Sequence, residues 1–151
     1  MPRLDPDTLG FLITDCARLI RAAMDREIAA SGLQLTPGEA RVLAHAARAG
    51  SVRQNELALR AGIDVMSVSE FLDALESKNL VRRDADPADR RAKLVSVTDA
   101  AGDVLDRMGE AGSAVRAVAA KGFSEAEWDA VKAALKAVRA NLSAGQDGKV
   151  S

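Results

Sequence analysis

This sequence lacks most of what disulfide-bonded, zinc-binding and membrane proteins need. Its single cysteine, Cys16, excludes an intrachain disulfide and favours a cytoplasmic protein. Its single histidine, His45, excludes a zinc site built from several imidazoles, and we expect no metal. No apolar run approaches the ~20 residues of a membrane span, and the N-terminus lacks the basic and apolar segments of a signal peptide. We therefore expect no membrane partner.

Catalytic motifs are also missing. The chain has no glycine-rich phosphate loop, no pairing of cysteine with histidine and no nucleophile motif. We therefore expect no enzymatic activity and no cofactor. What is present is a chain of 151 residues, 48% of them hydrophobic, which can bury a core as one domain.

A compact pair of helices is predicted between residues 54 and 76. Leu57 and Ala58 lie on one face of a short helix that Gly62 ends, because a glycine adopts the positive φ that such a turn needs. Asp64 is a candidate N-cap for a second helix. The apolar positions of this second helix recur at helical spacing and are Val68, Phe71, Leu72 and Leu75.

The outward face of the second helix is the first candidate site. In a helix-turn-helix, the N-terminal part of the second helix enters the major groove of DNA. Short side chains and hydroxyls there can reach the edges of bases. The residues that we expect to face outward and contact DNA are Val65, Met66, Ser67, Ser69 and Glu70.

After residue 79 the periodicity changes from helical to alternating, which predicts an antiparallel hairpin. Two apolar runs, at residues 80–81 and 94–97, flank a polar loop in which Pro87 favours a turn. Arginine offers phosphates and narrow minor grooves a planar fork of donors. Asp89 is close enough in sequence to pair with Arg91 and fix its direction. The basic residues of the hairpin that we expect to contact DNA are Arg82, Arg90, Arg91 and Lys93.

The charge balance is nearly neutral, whereas nucleic-acid-binding proteins are usually basic. The net charge is −1, and residues 53–98 contain eight basic and eight acidic side chains. Residues 82–93 are locally basic, with five basic side chains against three acidic ones. A twofold dimer would present two such patches to one duplex. We therefore expect binding that is sensitive to salt but not strongly non-specific.

Long helices are predicted on both sides of this region. The first, from residue 7 to about residue 30, carries an apolar stripe of Leu9, Leu12, Ile13, Cys16, Ile20, Ala23 and Met24. Thr36 is expected to cap the next helix, with Glu39 closing a capping box. Residues 51–53 are short enough to be a small first strand. Beyond the hairpin, helices are predicted from residue 98 to about 121 and from the capping box of Ser124 and Glu127 to about 142.

Several of these motifs, in this order, resemble the MarR (multiple antibiotic resistance regulator) family of winged-helix transcription factors. Asp89-Arg-Arg91 followed by Val97-Thr98 is similar to the family's wing motif, from which Val97 departs conservatively. The upstream stretches that resemble its helix-turn-helix are Glu56-Leu-Ala58, Gly62-Ile63, Ser67-Val-Ser69, Leu72-Asp-Ala-Leu-Glu76 and Leu80-Val81.

The resemblance implies a mainly α fold with a small β-hairpin. A winged helix-turn-helix at residues 36–98 would lie between dimerisation helices at residues 7–31 and 99–142, all within a single MarR-like domain. Residues 143–151 would form a flexible tail. In this family the first helix and the last two interdigitate with those of a second subunit.

The resemblance also implies a function. We expect a sequence-specific transcriptional regulator, a repressor, that binds double-stranded DNA at a pseudo-palindromic operator as a homodimer. A small effector, often aromatic or anionic, would enter a cleft between the first helices and the DNA-binding lobe and release the DNA. The residues that we expect near that cleft are Cys16, Ile20, Arg41 and His45.

Two alternative functions stay open. A winged-helix dimer could be a protein-interaction module that no longer reads DNA. The neutral charge favours this alternative, and so does Glu70, because the family often has arginine at the position of Glu70. The other alternative is a redox sensor based on Cys16, because organic-hydroperoxide sensors of the family carry a reactive cysteine in the first helix. Those sensors place tyrosines beside the thiol, and this chain has no tyrosine. We therefore expect Cys16 to be buried and unreactive.

Overall fold

Residues 4–147 are described by a computed structural model, and they form helices and one small sheet. The elements in chain order are α1 (Leu9–Ala30), α2 (Pro37–Ala49), β1 (Ser51–Arg53), α3 (Gln54–Ala61), α4 (Val65–Ser77), β2 (Val81–Ala85), β3 (Lys93–Val97), a 3-10 turn (Asp99–Ala101), α5 (Gly102–Ala119) and α6 (Glu125–Asp147). The predicted mainly α fold with a β-hairpin is confirmed. The chain divides into two units, Met1–Val115 and Arg116–Ser151.

Helices α2, α3 and α4 share the main hydrophobic core of the first unit. Their inward residues recur at helical spacing, which is why the sequence pattern predicts these elements. The largest fully buried side chains are Val42, Leu43, Leu57, Val68, Leu72, Leu75, Val81 and Val95. Full burial of one such side chain contributes about 1.5–3 kcal/mol relative to leaving it exposed. The core therefore holds α4 firmly against its neighbours.

Helix α2 begins at a cap that differs in one respect from the prediction. The hydroxyl of Thr36 accepts a hydrogen bond from the backbone N–H of Glu39 at 3.2 Å, as a cap should. The carboxylate of Glu39 does not return to Thr36, so the expected capping box is wrong. Glu39 is buried, and a buried carboxylate needs a charged partner. It finds Lys78, whose Nζ lies 2.5 Å away and links the end of α4 to the start of α2.

Gly38 lets α2 and α4 approach each other closely. A Cβ atom built on Gly38 would lie 2.2 Å from Cζ of Phe71, a separation that real Cβ atoms do not show. Phe71 is half-buried and packs against the core from α4. The absence of a side chain at residue 38 therefore helps to set the position of α4.

The sheet is antiparallel and has the strand order β1-β3-β2. Val52 in β1 is paired with Val95 in β3, and Arg83 in β2 is paired with the same Val95. Val52, Val81 and Val95 are buried, which accounts for the alternating pattern of the sequence. The short first strand predicted at residues 51–53 is confirmed.

Helix α1 exposes most of its predicted apolar stripe. Ile28 is the buried residue of this helix, and Met24 packs partly against the core. The large apolar side chains that α1 leaves in solvent are Leu9, Phe11, Leu12, Ile13, Leu19 and Ile20. Among the described residues of the first unit, no element therefore buries this apolar face of α1.

The second unit contains the end of α5 and helix α6. The predicted capping box is confirmed: the N–H of Ser124 donates to Oε2 of Glu127 at 2.7 Å, and the N–H of Glu127 donates to Oγ of Ser124 at 3.2 Å. The ring of Phe123 lies 5.5 Å from that of Trp128. Leu135 and Leu142 are exposed on α6.

Helix α6 is longer than the sequence predicts. It continues to Asp147, so residues 143–147 of the expected flexible tail are helical. The hydroxyl of Ser143 donates to the carbonyl of Arg139 at 2.9 Å, which satisfies the hydroxyl inside the helix. The rest of the predicted tail, residues 148–151, lies outside the described residues.

Candidate nucleic-acid interface

The turn between α3 and α4 has the geometry that Gly62 predicts. Gly62 has φ of 65°, its N–H donates to the carbonyl of Leu59, and the N–H of Ile63 donates to that of Ala58 at 3.1 Å. These two bonds form a Schellman motif, which satisfies the last carbonyls of a helix. The turn is therefore fixed by backbone hydrogen bonds.

Asp64 caps α4, as predicted. Its carboxylate accepts from the backbone N–H of Ser67 at 2.9 Å and from the hydroxyl of the same residue at 2.7 Å. These bonds lower the pKa of Asp64, because they favour the charged carboxylate. The hydroxyl proton of Ser67 is therefore directed to the cap.

The outward face of α4 changes character along its length. Val65 and Met66 expose large apolar side chains in the first turn, and Ser69 is half-buried one turn later. Glu70 is exposed, and within residues 4–147 no cation lies within salt-bridge distance of its carboxylate. The first turn of this face thus exposes methyl groups, and the next turn exposes the carboxylate of Glu70, which has no ion-pair partner among the described residues.

The other acidic residues of α4 are neutralised by β2. Arg83, whose side chain is only 20% exposed, pairs with Asp73 and places its Nε 2.7 Å from Oε2 of Glu76. This cluster explains part of the neutral charge balance, since three of the counted charges serve to attach the hairpin to α4. Glu70 is left as the carboxylate of this face without such a partner among the described residues.

The end of α4 is joined to the base of the hairpin. Asn79 adopts a positive φ of 57°, and the N–H of Leu80 donates to the carbonyl of Leu75 at 2.9 Å in a second Schellman motif. The hydroxyl of Thr98 donates to the carbonyl of Asn79 at 2.6 Å. Thr98, part of the wing motif, therefore anchors the end of β3 beside the end of α4.

Asp86 organises the loop of the hairpin, and sequence reasoning missed it. Its side chain is buried, accepts from the N–H of Ala88 at 2.9 Å and lies 2.7 Å from Nε of Arg53. The Ala88 bond and the Arg53 guanidinium lower the pKa of Asp86. Since Arg53 ends β1 and directly precedes α3 at its N-cap position, this ion pair joins the loop to the helix-turn-helix.

The predicted basic residues of the hairpin are all exposed. Nε of Arg82 lies 3.2 Å from Oδ2 of Asp84, so these two side chains form an ion pair. In the part of the chain that the structure describes, no carboxylate forms an ion pair with Arg90, Arg91 or Lys93. Two cations in the loop and a third at the start of β3 are therefore without an ion-pair partner among the described residues.

Asp89 acts on the backbone and not on a guanidinium group. Its Oδ1 accepts from the N–H of Arg91 at 3.0 Å, which shapes the turn. Among the described residues, no ion pair joins the side chains of Asp89 and Arg91. The predicted pairing of the Asp89 carboxylate with the Arg91 guanidinium is therefore wrong, because the carboxylate binds the backbone of Arg91. Asp89 sets the path of the loop instead.

A concavity of about 280 Å³ lies between the hairpin loop and the start of α3. Its lining residues are Arg53, Gln54, Asn55, Asp89, Arg91, Ala92 and Lys93. The predicted basic residues Arg91 and Lys93 thus share a hollow with the N-terminal turn of a helix, where backbone N–H groups favour anions.

The residues expected at an effector cleft are divided between two helices. Cys16 and Ile20 are exposed on α1, and Arg41 and His45 are half-buried on α2. The prediction of a buried Cys16 is wrong for this chain, because the stripe to which it belongs finds no cover among the described residues of its unit.

The surroundings of His45 favour its neutral imidazole. Partial burial lowers its pKa below the ordinary value. The guanidinium groups of Arg48, Arg41 and Arg60 act in the same direction. This part of α2 is therefore basic through its arginines alone.

A second concavity, of about 330 Å³, lies between the end of α1 and α5, and sequence reasoning did not predict it. Arg107 donates to the backbone carbonyl of Ser31 at its edge, where a cation suits the C-terminal end of a helix. The other lining residues are Glu27, Ala30, Glu110 and Ala111. Its acidic side chains differ from the basic residues that sequence reasoning places at the effector cleft.

Other kinds of site find no support in the described chain. Residues 4–147 contain no group of three or more histidine, cysteine or acidic side chains that could hold a metal ion. Of the helices described over the same range, none combines the length and apolar composition required to cross a membrane.

Comparison with known proteins identifies the family. The sequence profile of the MarR family matches residues 35–93, the turn-connected helices and most of the hairpin. A solved transcriptional regulator, PA3341, is 34% identical, with 90% of this chain and 98% of that chain covered and a TM-score of 0.74. The chain belongs to the MarR family.

Two further structures show the same fold over nearly the full length. MarR itself superimposes with a TM-score of 0.80 at 20% identity, covering 97% of this chain and 99% of that chain. BpsR from Bordetella bronchiseptica, whose DNA binding is regulated by 6-hydroxynicotinic acid, gives a TM-score of 0.69 at 22% identity, covering 92% of this chain and 98% of that chain. None of the curated proteins matches the sequence significantly. Members of the MarR family are transcription regulators, not enzymes, that bind DNA as dimers and respond to small molecules.

Proposed function

We propose that this MarR-family protein is a repressor that binds a pseudo-palindromic operator as a homodimer. The observation that carries the proposal is the set of three cations without acidic partners on the hairpin, Arg90, Arg91 and Lys93, which belong to the same unit as the outward face of α4. Such cations favour phosphate oxygens and narrow minor grooves, while the exposed start of α4 suits the major groove. A cytoplasmic location is part of this proposal, because the operator lies on the chromosome.

The homodimer is supported by the uncovered apolar face of α1. A soluble chain seldom leaves side chains such as Leu12, Ile13 and Ile20 in water together. In the second unit, the α6 residues Leu135 and Leu142 are likewise exposed apolar side chains that a second subunit could cover. Twofold symmetry would also place two copies of α4 on two half-sites of one duplex.

We also propose that a small effector releases the operator, as 6-hydroxynicotinic acid regulates the DNA binding of BpsR. Arg41 and the neutral His45 on α2 are suited to an anionic or aromatic molecule. Cys16 and Ile20 stay in the proposal as residues of α1 that could border the same ligand.

The decisive experiment replaces Arg91 with alanine. The full-length protein would be titrated against a labelled duplex from its own promoter, followed by fluorescence anisotropy at several salt concentrations. Loss of a charged hydrogen bond of about 1.5–3 kcal/mol should weaken binding at least about tenfold. Because two phosphate contacts disappear from a dimer, the slope of log affinity against log salt should fall by about 2 in magnitude.

Lys136→Ala is the matched control, since it removes one positive charge from an exposed position on the side of α6 away from Leu135 and Leu142. It should leave both the affinity and the salt slope nearly unchanged. A wild-type protein that binds every duplex equally weakly would contradict the proposal.

A protein-interaction module is the second candidate, and the free carboxylate of Glu70 on the face of α4 favours it. Under this alternative, Arg91→Ala would leave the complex with the partner protein intact. A redox function of Cys16 is supported only by its exposure. Treatment with an organic hydroperoxide should then abolish operator binding by the wild type and spare the Cys16→Ser variant.

A further inference from the structure

The first turn of α4 carries two apolar side chains that the fold does not use. Val65 is 50% exposed and Met66 is 79% exposed, although both belong to a helix whose other aliphatic residues are buried. Exposing a large apolar side chain forgoes about 1.5–3 kcal/mol of burial. A binding role would recover that free energy.

The position of these residues narrows what could cover them. They directly follow the Asp64 cap, at the end of α4 that enters the major groove in a helix-turn-helix. The hairpin of the same unit carries the cations Arg90, Arg91 and Lys93, which have no ion-pair partner among the described residues and which suit a polyanion and oppose a basic partner. The occupant should therefore be polyanionic yet present apolar groups to α4.

The major groove of DNA meets both conditions. Among the groups that base pairs display there, the 5-methyl group of thymine is the apolar one. The hydroxyl proton of Ser67, the nearest polar donor on this turn, is directed to Asp64 and not outward. The first turn therefore offers DNA methyl contacts in place of hydrogen-bond donors.

We propose that Val65 and Met66 recognise the 5-methyl groups of thymines in each operator half-site. The proposal rests on the DNA-binding function proposed above. Glu70, four residues after Met66, lies one turn and about 6 Å farther along the helix axis, on the same face. Its free carboxylate accepts hydrogen bonds, so a cytosine amino group suits the base pair at that distance.

The test removes only the methyl group. Duplexes selected by the full-length wild-type protein from a random pool would be resynthesised with deoxyuridine in place of each thymine in turn. At one or two positions per half-site the wild type should lose about fourfold in affinity for each methyl removed, the equivalent of one buried methyl group. At these positions Met66→Gln or Val65→Ala should bind the two duplexes equally well.

Two controls separate a lost contact from a damaged protein. Met66→Leu keeps an apolar side chain and should keep the loss on deoxyuridine substitution. Leu4→Ala truncates a residue that is 83% exposed, outside residues 36–98 and outside the predicted dimerisation helices, and should also keep it. Thermal unfolding should give similar midpoints for all variants, because neither Val65 nor Met66 belongs to the core.

The outcomes distinguish this inference from the function on which it rests. Failure to select any preferred duplex would overturn the DNA-binding proposal itself. Selection of an operator whose affinity does not depend on any thymine methyl would overturn the inference alone. A deoxyuridine effect of equal size in wild type, Met66→Gln and Val65→Ala would also overturn it, because the methyl group would then act through other residues or through DNA shape.

Discussion

Replacing Gly38 with alanine tests how tightly α4 is set against α2. The added Cβ would lie 2.2 Å from Cζ of Phe71 and 2.5 and 2.6 Å from the two Cε atoms. The ring therefore faces the new methyl group with three atoms at once, and it is held in turn by the core. Either Phe71 leaves its position or α4 moves away from α2.

The magnitude follows from two opposing effects. Overpacking a core typically costs about 1–3 kcal/mol. Alanine favours a helix over glycine by up to about 1 kcal/mol in a helix interior, and by less near its start. We therefore expect Gly38→Ala to lower the free energy of unfolding by about 1–2 kcal/mol. The displaced α4 should also weaken operator binding.

Gly10→Ala is a matched control, because Gly10 is likewise the second residue of its helix and a Cβ there meets nothing within 4 Å. It should be neutral or stabilising by up to about 1 kcal/mol. The assay is urea unfolding followed by circular dichroism at one fixed protein concentration, since the stability of a dimer depends on concentration.

A double-mutant cycle identifies the ring as the cause. Phe71→Leu removes the atoms that the new Cβ would meet, so adding Gly38→Ala to this variant should cost much less than adding it to the wild type. If Gly38→Ala were as stable as the wild type, or if its cost were the same in both backgrounds, the close approach of α2 and α4 would not be what constrains residue 38.

The remaining predictions concern the two ends of the hairpin. Because the folded-state pKa of Asp86 is lowered, its contribution to the free energy of unfolding is present above its unfolded pKa near 4 and is lost as pH falls through the folded value. The stability difference between wild type and Asp86→Asn should therefore shrink as unfolding is measured at increasingly acidic pH below about 4, and a constant difference would argue against the Arg53 pairing. Asn79→Ala should lower stability by about 1 kcal/mol, since alanine tolerates a positive φ poorly, whereas Asn79→Gly should match the wild type in thermal unfolding.

Local patterns predicted the elements well because their causes are local. The buried residues of α4 recur at helical spacing, Asp64 caps the residue three positions on, and Gly62 ends α3 through neighbouring carbonyls. The apolar residues of the hairpin likewise alternate with polar ones because only one face of the sheet is buried. Each of these signals is contained within a few residues of the sequence.

The errors arose where a partner is distant in the sequence. Asp86 reads as an ordinary turn residue until Arg53, 33 positions earlier, is placed beside it. Glu39 looks like half of a capping box, yet it pairs with Lys78, 39 positions later. The burial of Cys16 depends on what covers α1, which no residue of α1 itself can reveal.

The ion pair between Arg53 and Asp86 has a mechanical consequence. Arg53 belongs at once to β1 and to the N-cap position of α3, and β3 is hydrogen-bonded to both β1 and β2. Together with the pairs that Arg83 forms with Asp73 and Glu76, this ion pair connects the hairpin to both α3 and α4. Under the proposed function, we therefore expect an effector that displaces the hairpin to displace α4 with it, so that contacts with the minor and the major groove are lost together.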